Sequence, residues 1–197
     1  MARPNYSQER REKLIPVIAR MFAELGYRRA TTAELAKRCG VRENILFRLW
    51  PDKKGMFLAS VDYVYALSAS KWQDLLKKDG SSKTAAERLL EYESEHHGEY
   101  RLYRIVFAGL NEIDDPEICE ALSGMYGRFH NFIRDQLAAH RRGMQKKVSS
   151  NVELLAWAFI GLGTMADITK ELGLATARRH KELIMKVGKL LLDANRK

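Results

Sequence analysis

Only two of the 197 residues are cysteine, Cys39 and Cys119, and neither belongs to a CxxC pair or to a spacing that would build a disulfide framework. A small disulfide-stapled fold is excluded, and both thiols are expected to be reduced and mostly buried. No stretch approaches 18 uncharged apolar residues, and Met1 to Arg11 is polar and basic with no apolar run behind it. Neither a membrane span nor a secretory signal is therefore expected, which places the chain in the cytoplasm. Sustained period-two alternation, internal repeats and low-complexity segments are also missing, and so is any nucleophile elbow, Gly-rich phosphate loop, spaced catalytic triad, HExxH motif or Cys/His cluster. No catalytic residue, metal or cofactor is expected, and the chain is not read as an enzyme.

What the sequence has is positive charge in one place. The net charge is +9, and residues 1–54 hold 13 Lys/Arg against 6 Asp/Glu. Most of the excess lies in the first quarter of the chain. Such a focus attracts a polyanion, because each phosphate neutralised by a cation releases condensed counterions. A solvated basic face and an anionic membrane surface are the alternatives that charge alone leaves open.

The local pattern is helical. Leu14, Ile18, Met21, Phe22 and Leu25 make one apolar stripe, ended by Gly26. Pro16 belongs either in a first turn, leaving Met1 to Lys13 as a basic arm, or in a longer, kinked helix. Thr31 with Glu34 forms a capping box for a short helix that turns inward Leu35, Ala36 and Cys39. Gly40 then permits a sharp turn into a third helix starting near Arg42, with Leu46, Leu49 and Trp50 on one side, Asn44, Phe47 and Arg48 on the other and Ile45 at the edge. After Pro51-Asp52 the pattern predicts helices near 53–78, 84–97, 99–111, 116–142, 152–172 and 176–195.

A brace helix, a tight turn and a second helix with one free face are what a major-groove reader requires. Arg42 and Arg48 can pair with phosphates or reach guanine, Asn44 can reach adenine, and Ile45 can touch a thymine methyl. Glu43 can accept from cytosine N4 or simply suit the helix dipole.

Gly26-Tyr27, Thr31-Thr32, Leu35-Ala36, Gly40-Val41, Leu46-Phe47, Trp50 and Lys53, in order and without gaps, resemble the N-terminal domain of TetR-type repressors. The resemblance covers about Leu14 to Leu58; beyond it only the length of a larger helical domain matches. It implies an all-α protein: a three-helix helix-turn-helix DNA-binding domain with a basic arm over 1–54, and a helical effector-binding and dimerisation domain over 55–197. It also implies that Lys53 and the Thr32 hydroxyl hold a phosphate, with Arg28 and Arg29 as strand clamps. The family carries phosphate donors where Phe47 and Leu49 stand, so Phe47 departs from the usual contact set.

The same resemblance turns Tyr100, Tyr103, Phe107, Met125, Tyr126, Phe129, Phe132, Trp157 and Met165, otherwise ordinary core, into candidates for an apolar effector pocket. His96-His97 is not read as a metal pair, since adjacent helical residues point about 100° apart. The last two helices, through Leu154, Leu155, Ala158, Leu162, Leu183, Val187, Leu190 and Leu191, are more apolar than an outer layer requires and are the candidate for a symmetric dimer interface. The expected partners are double-stranded operator DNA, a small-molecule effector and a second copy of the chain, with no membrane. The helix near 53–78 is expected to be the only covalent route between reader and effector domain. The rival reading is a helical small-molecule-binding protein or enzyme whose basic N-terminus serves solubility.

Overall fold

A computed structural model describes residues 6–77, 83–144 and 151–194. Among them all regular structure is helical, in the order α1 (Tyr6–Arg29), α2 (Thr32–Cys39), α3 (Glu43–Leu49), α4 (Lys53–Leu76), α5 (Ala85–His96), α6 (Arg104–Leu110), α7 (Pro116–Gly143), α8 (Val152–Glu171) and α9 (Ala177–Asp193). The all-α expectation holds, with two corrections at element ends. Residues Tyr6 to Lys13 are helix rather than arm, continuous through Pro16, and Arg11 Nε donates to the Leu49 carbonyl at 2.7 Å, which gives this first part of α1 a place to anchor. The remainder of the expected arm lies outside the described residues. α6 begins at Arg104, not Glu99, because Gly98 and Arg101 take left-handed φ values of 67° and 54° and interrupt the helix.

The helices form two compact units. The first holds the chain up to Leu67 together with Tyr100–Met125, the second Ser68–Glu99 and the chain from Tyr126 onward. The chain thus passes between them at three points, and α4 is not the sole covalent route.

In the first unit α1 buries Leu14, Ile18, Met21 and Phe22, and α2, α3, α4 and α6 contribute Leu35, Leu46, Phe57 and Ile105 to the same core. Phe57 meets the rings of Phe22 and Tyr27 edge-on, each at 5.1 Å between centroids. α6 lies against α1, with Gly109 where a Cβ would stand 2.8 Å from Leu122 Cδ1 and 3.2 Å from Phe57 Cζ.

The second unit packs Ala86, Leu90, Leu137, Val152, Ala156, Ala166, Ile184 and Leu192 together. Its α5 starts at a reciprocal capping box between Thr84 and Glu87. α8 is long and apolar enough by composition to cross a membrane, a property shared by core helices, and it carries the buried Asp167. Cys39 is half-buried, whereas Cys119 is exposed, against the expectation for both thiols, because it falls on the outer side of the α7 turn that buries Ile118 and Leu122.

Two glycines separate packing from propensity. At Gly188 a Cβ would stand 2.3 Å from Leu90 Cδ1, while at Gly124 nothing lies within 4 Å. Gly188→Val is expected to lower stability by about 1–3 kcal/mol through overpacking, and Gly124→Ala to raise it by about 0.4–1 kcal/mol. Urea denaturation of both variants checks this, and a destabilised Gly124→Ala beside an unchanged Gly188→Val would contradict it.

Candidate nucleic-acid interface

α3 has seven residues and two unlike sides. Leu46, Leu49 and Trp50 are buried, Ile45 is intermediate, and Arg42, Glu43, Asn44, Phe47 and Arg48 are exposed, as the helical wheel predicts. The turn before it is set by Gly40, left-handed at φ 65°, which lets Val41 N–H reach back to the Ala36 carbonyl at 3.0 Å and end α2 cleanly. Thr31 caps α2 by accepting from Glu34 N–H at 3.2 Å. The Glu34 carboxylate lies 3.9 Å from Arg38, on the same helix. At the far end of α3, Arg11 places a cation on the Leu49 carbonyl, where the helix dipole is negative.

Arg42, Asn44 and Arg48 make no hydrogen bond or ion pair with another described residue and project from a solvent-facing surface. Other cations expected at this face are already engaged. Arg28 donates to Glu112 at 2.7 Å, and that pairing holds its pKa above the ordinary arginine value. Arg29 donates to the Leu25 carbonyl. Lys53 Nζ donates to the Tyr27 carbonyl at 3.2 Å and sits 4.5 Å from the centre of the Tyr27 ring. Lys54 binds Asp115 and Glu117, so the acidic turn between α6 and α7 is tied to both the end of α1 and the start of α4. Thr32 Oγ1 donates to the carboxylate of Glu43, a contact between the two halves of the helix-turn-helix that sequence spacing did not reveal.

The candidate effector residues divide between the units. Tyr100, Tyr103, Phe107 and Met125 lie in the first, where Met125 is buried and Tyr100 and Phe107 are exposed. Tyr126, Phe129, Trp157 and Met165 lie in the second. There Phe132 stacks on Trp72 and Phe129 meets it edge-on, Trp157 lies on His130 at 4.6 Å, and Met165 is exposed. Of the candidate interface residues, Leu154, Ala158 and Leu190 are exposed, Leu162, Val187 and Leu191 are half-buried, and Leu155 and Leu183 pack partly on the core of their own unit.

One group escaped the sequence. Glu93, His97, Asp167 and His180 cluster inside the second unit, and the signal that could have found them is a single acid within the apolar α8. His96 lies outside the cluster, exposed and stacked on Tyr92.

A buried brace, a tight turn and a two-sided α3 make α1 to α3 a helix-turn-helix within the first unit. The family model for bacterial regulatory proteins of the tetR family matches residues 14–60. The nucleoid occlusion factor SlmA of Haemophilus influenzae is 41% identical over 58 residues, 29% of this chain and 27% of that protein, so the chain matches little more than a quarter of this curated relative's length. Along the whole chain the fold is that of a TetR-family transcriptional regulator from Cytophaga hutchinsonii, with a TM-score of 0.75, 13% identity and complete coverage of both chains. It is also that of FadR from Bacillus subtilis in complex with stearoyl-CoA, with a TM-score of 0.71, 14% identity, and 92% and 97% of the two chains covered. Residues 14–60 therefore match the tetR family of bacterial regulatory proteins, and the chain as a whole shares the fold of solved regulators of that kind.

Glu43 faces the solvent beside the cations it would have to share with DNA. If its role is to hold Thr32, Glu43→Gln is expected to strengthen binding to all duplexes alike, since one repulsive charge disappears from the face. If it reads cytosine, the same variant loses about 1–3 kcal/mol on the preferred site alone. Anisotropy titrations on a preferred and an unrelated duplex decide between the two, and the first outcome is expected.

Proposed function

We propose that this protein is a ligand-responsive transcriptional regulator, a repressor that binds a near-palindromic operator as a homodimer in the cytoplasm. The observation that carries the reading is the free polar face of α3, where Arg42, Asn44 and Arg48 are exposed and uncommitted while Leu46 and Leu49 fix the helix from behind. Arg48 and Arg42 serve the phosphates, Asn44 reads an adenine edge and Ile45 a thymine methyl. Arg28, Arg29, Lys53 and Thr32 flank this helix; for Arg28 and Thr32 to reach a phosphate, Glu112 and Glu43 must release them.

Dimerisation rests on an exposed apolar stripe of the second unit. Leu154, Ala158, Gly161 and Met165 recur along α8 at alternating steps of four and three, Leu172 continues the line, and Leu190 of α9 is as exposed as Leu154, each at 71%. The small residues permit close approach, so a second copy can pack its own α8 and α9 here as a four-helix contact. Trp157 and Met165 lie on this side and belong with the interface rather than with an effector pocket. Two readers held by such a symmetric contact address half-sites about one helical turn apart, roughly 34–36 Å. An effector in the helical domain regulates binding by preferring one separation of the readers, and a preference of about 1–3 kcal/mol changes operator affinity about 5–150-fold.

Selection of binding sites from a random DNA pool tests both parts at once. The wild-type protein is expected to enrich a near-palindrome with half-sites about one turn apart. The double variant Leu154→Glu with Leu190→Glu, folded but monomeric by sedimentation, is expected to enrich a single half-site weakly. No enriched sequence from the wild type would overturn the regulator reading, and a palindrome retained by a dimeric double variant would overturn the interface.

A further inference from the structure

The second unit holds a polar chain, half-buried at Trp72, Glu93 and His97 and buried at Asp167 and His180, that DNA reading does not use. Trp72 Nε1 donates to Glu93 Oε1 at 2.6 Å, and Glu93 Oε2 lies 2.9 Å from His97 Nδ1. His97 Nε2 in turn stands 3.1 Å from the Gly163 carbonyl and 3.3 Å from Asp167 Oδ2. The His180 ring lies nearly parallel to that of His97, with centroids 6.2 Å apart. Asp167 and His180 are 5% and 7% exposed.

Counting donors leaves two acceptors over. His97 uses both ring nitrogens, Trp72 its indole N–H, and Thr164 donates to the Ile160 carbonyl and contacts the Tyr126 hydroxyl. The Ala166 carbonyl accepts from one nitrogen of His180. Lys170, exposed, lies 3.4 Å from the carbonyls of His97 and Gly98. Asp167 Oδ1 and His180 Nε2 remain, both buried and without a hydrogen-bond partner among the described residues. Protein interiors rarely leave such atoms unpaired.

Charge narrows what could pair with them. Two carboxylates, Glu93 and Asp167, flank one imidazolium, and the other cation nearby, Lys170, is exposed and turned to the carbonyls of His97 and Gly98. Burial opposes the charge on His97, but hydrogen bonds to Asp167 and Glu93 push its pKa to about 10, so its proton is already committed. Burial first, and then the positive charges of His97 and Lys170, lower the pKa of His180 and keep it neutral. A bound water could donate twice here but would bring no charge. Beside Glu93, Trp72 stacks on Phe132 at 4.7 Å and meets Phe129 at 5.5 Å, so packed aromatic rings adjoin the polar chain.

We propose that Asp167 Oδ1 and His180 Nε2 receive the N–H groups of a small cationic ligand, a primary ammonium or amidinium with an apolar body, and that this class is the effector. The assignment as effector rests on the ligand-responsive reading above; binding itself does not. Asp167 is the charge partner, His180 the second acceptor, and His97 with Glu93 the pair that positions Asp167.

Thermal melts of the full-length protein with millimolar 2-phenylethylamine, 2-phenylethanol or 3-phenylpropanoate test the class. The amine is expected to raise the melting temperature saturably, the neutral alcohol and the carboxylate not. Asp167→Asn is expected to weaken the amine by about tenfold or more, the loss of a charge-assisted bond, and His180→Phe, which keeps a ring and removes the acceptor, to weaken it too. His180→Phe carries the test if Asp167→Asn does not fold. Equal shifts with the alcohol would indicate a structural water site, and a shift with the carboxylate alone an anionic ligand; either overturns the proposal. So does an amine shift that survives in both variants, or no shift at all. A surviving amine shift beside failed site selection would remove the regulator reading alone, and the reverse would remove only this ligand class.

Discussion

The helix proposed to meet DNA is too short to exist by itself. Seven residues cannot repay helix nucleation in water, so α3 has its shape only because Leu46, Leu49 and Trp50 are taken out of solvent against the core of the first unit. Burial on one side fixes what the other side presents. A seven-residue helix anchored at two successive turns can rotate very little, and Arg42, Asn44 and Arg48 are therefore held at fixed angles around it. Gly40 sets its start and Arg11 holds its last carbonyl. The brace helix α1 thus has two tasks, core and cap.

Electrostatics around this helix are more balanced than the net charge suggests. Arg28, Lys54 and Thr32 are bound by Glu112, by Asp115 with Glu117, and by Glu43. Exposed pairs of this kind contribute little stability, but under the proposed function they decide which cations are free for DNA. The acidic turn between α6 and α7 also joins the end of α1 to the start of α4, so a displacement of α6 would be felt where the reader is mounted. With the chain crossing between the units three times, α4 shares the covalent connection with the segments around Glu99 and Met125.

Much of this was legible in the sequence, and the reasons are physical. The reader obeys local rules: the stripe of α1, Thr31 as cap, Gly40 as left-handed turn and the 100° step that separates Leu46 from Phe47 all act within a few residues. Helix number and most ends followed from the same signals. The exceptions depended on distant partners. Pro16 left open an arm or a longer helix for Tyr6 to Lys13, and the helix formed with Arg11 anchored on a residue 38 positions away. Gly98 and Arg101 delayed α6 through backbone geometry that only glycine advertises in advance. The Glu93–His97–Asp167 chain was invisible because it joins separate helices, and its trace in the sequence, one acid in an apolar segment, gives no partner.

If the free face of α3 reads DNA, its cations must show in the salt dependence of binding. The most direct measurement is the affinity of wild type and Arg48→Ala for a mixed-sequence duplex across a series of salt concentrations. The account predicts a steep decline for the wild type and, in a variant with unchanged melting temperature, weaker binding with a slope reduced by about one unit, the signature of one lost phosphate contact. Identical affinities and slopes would contradict it.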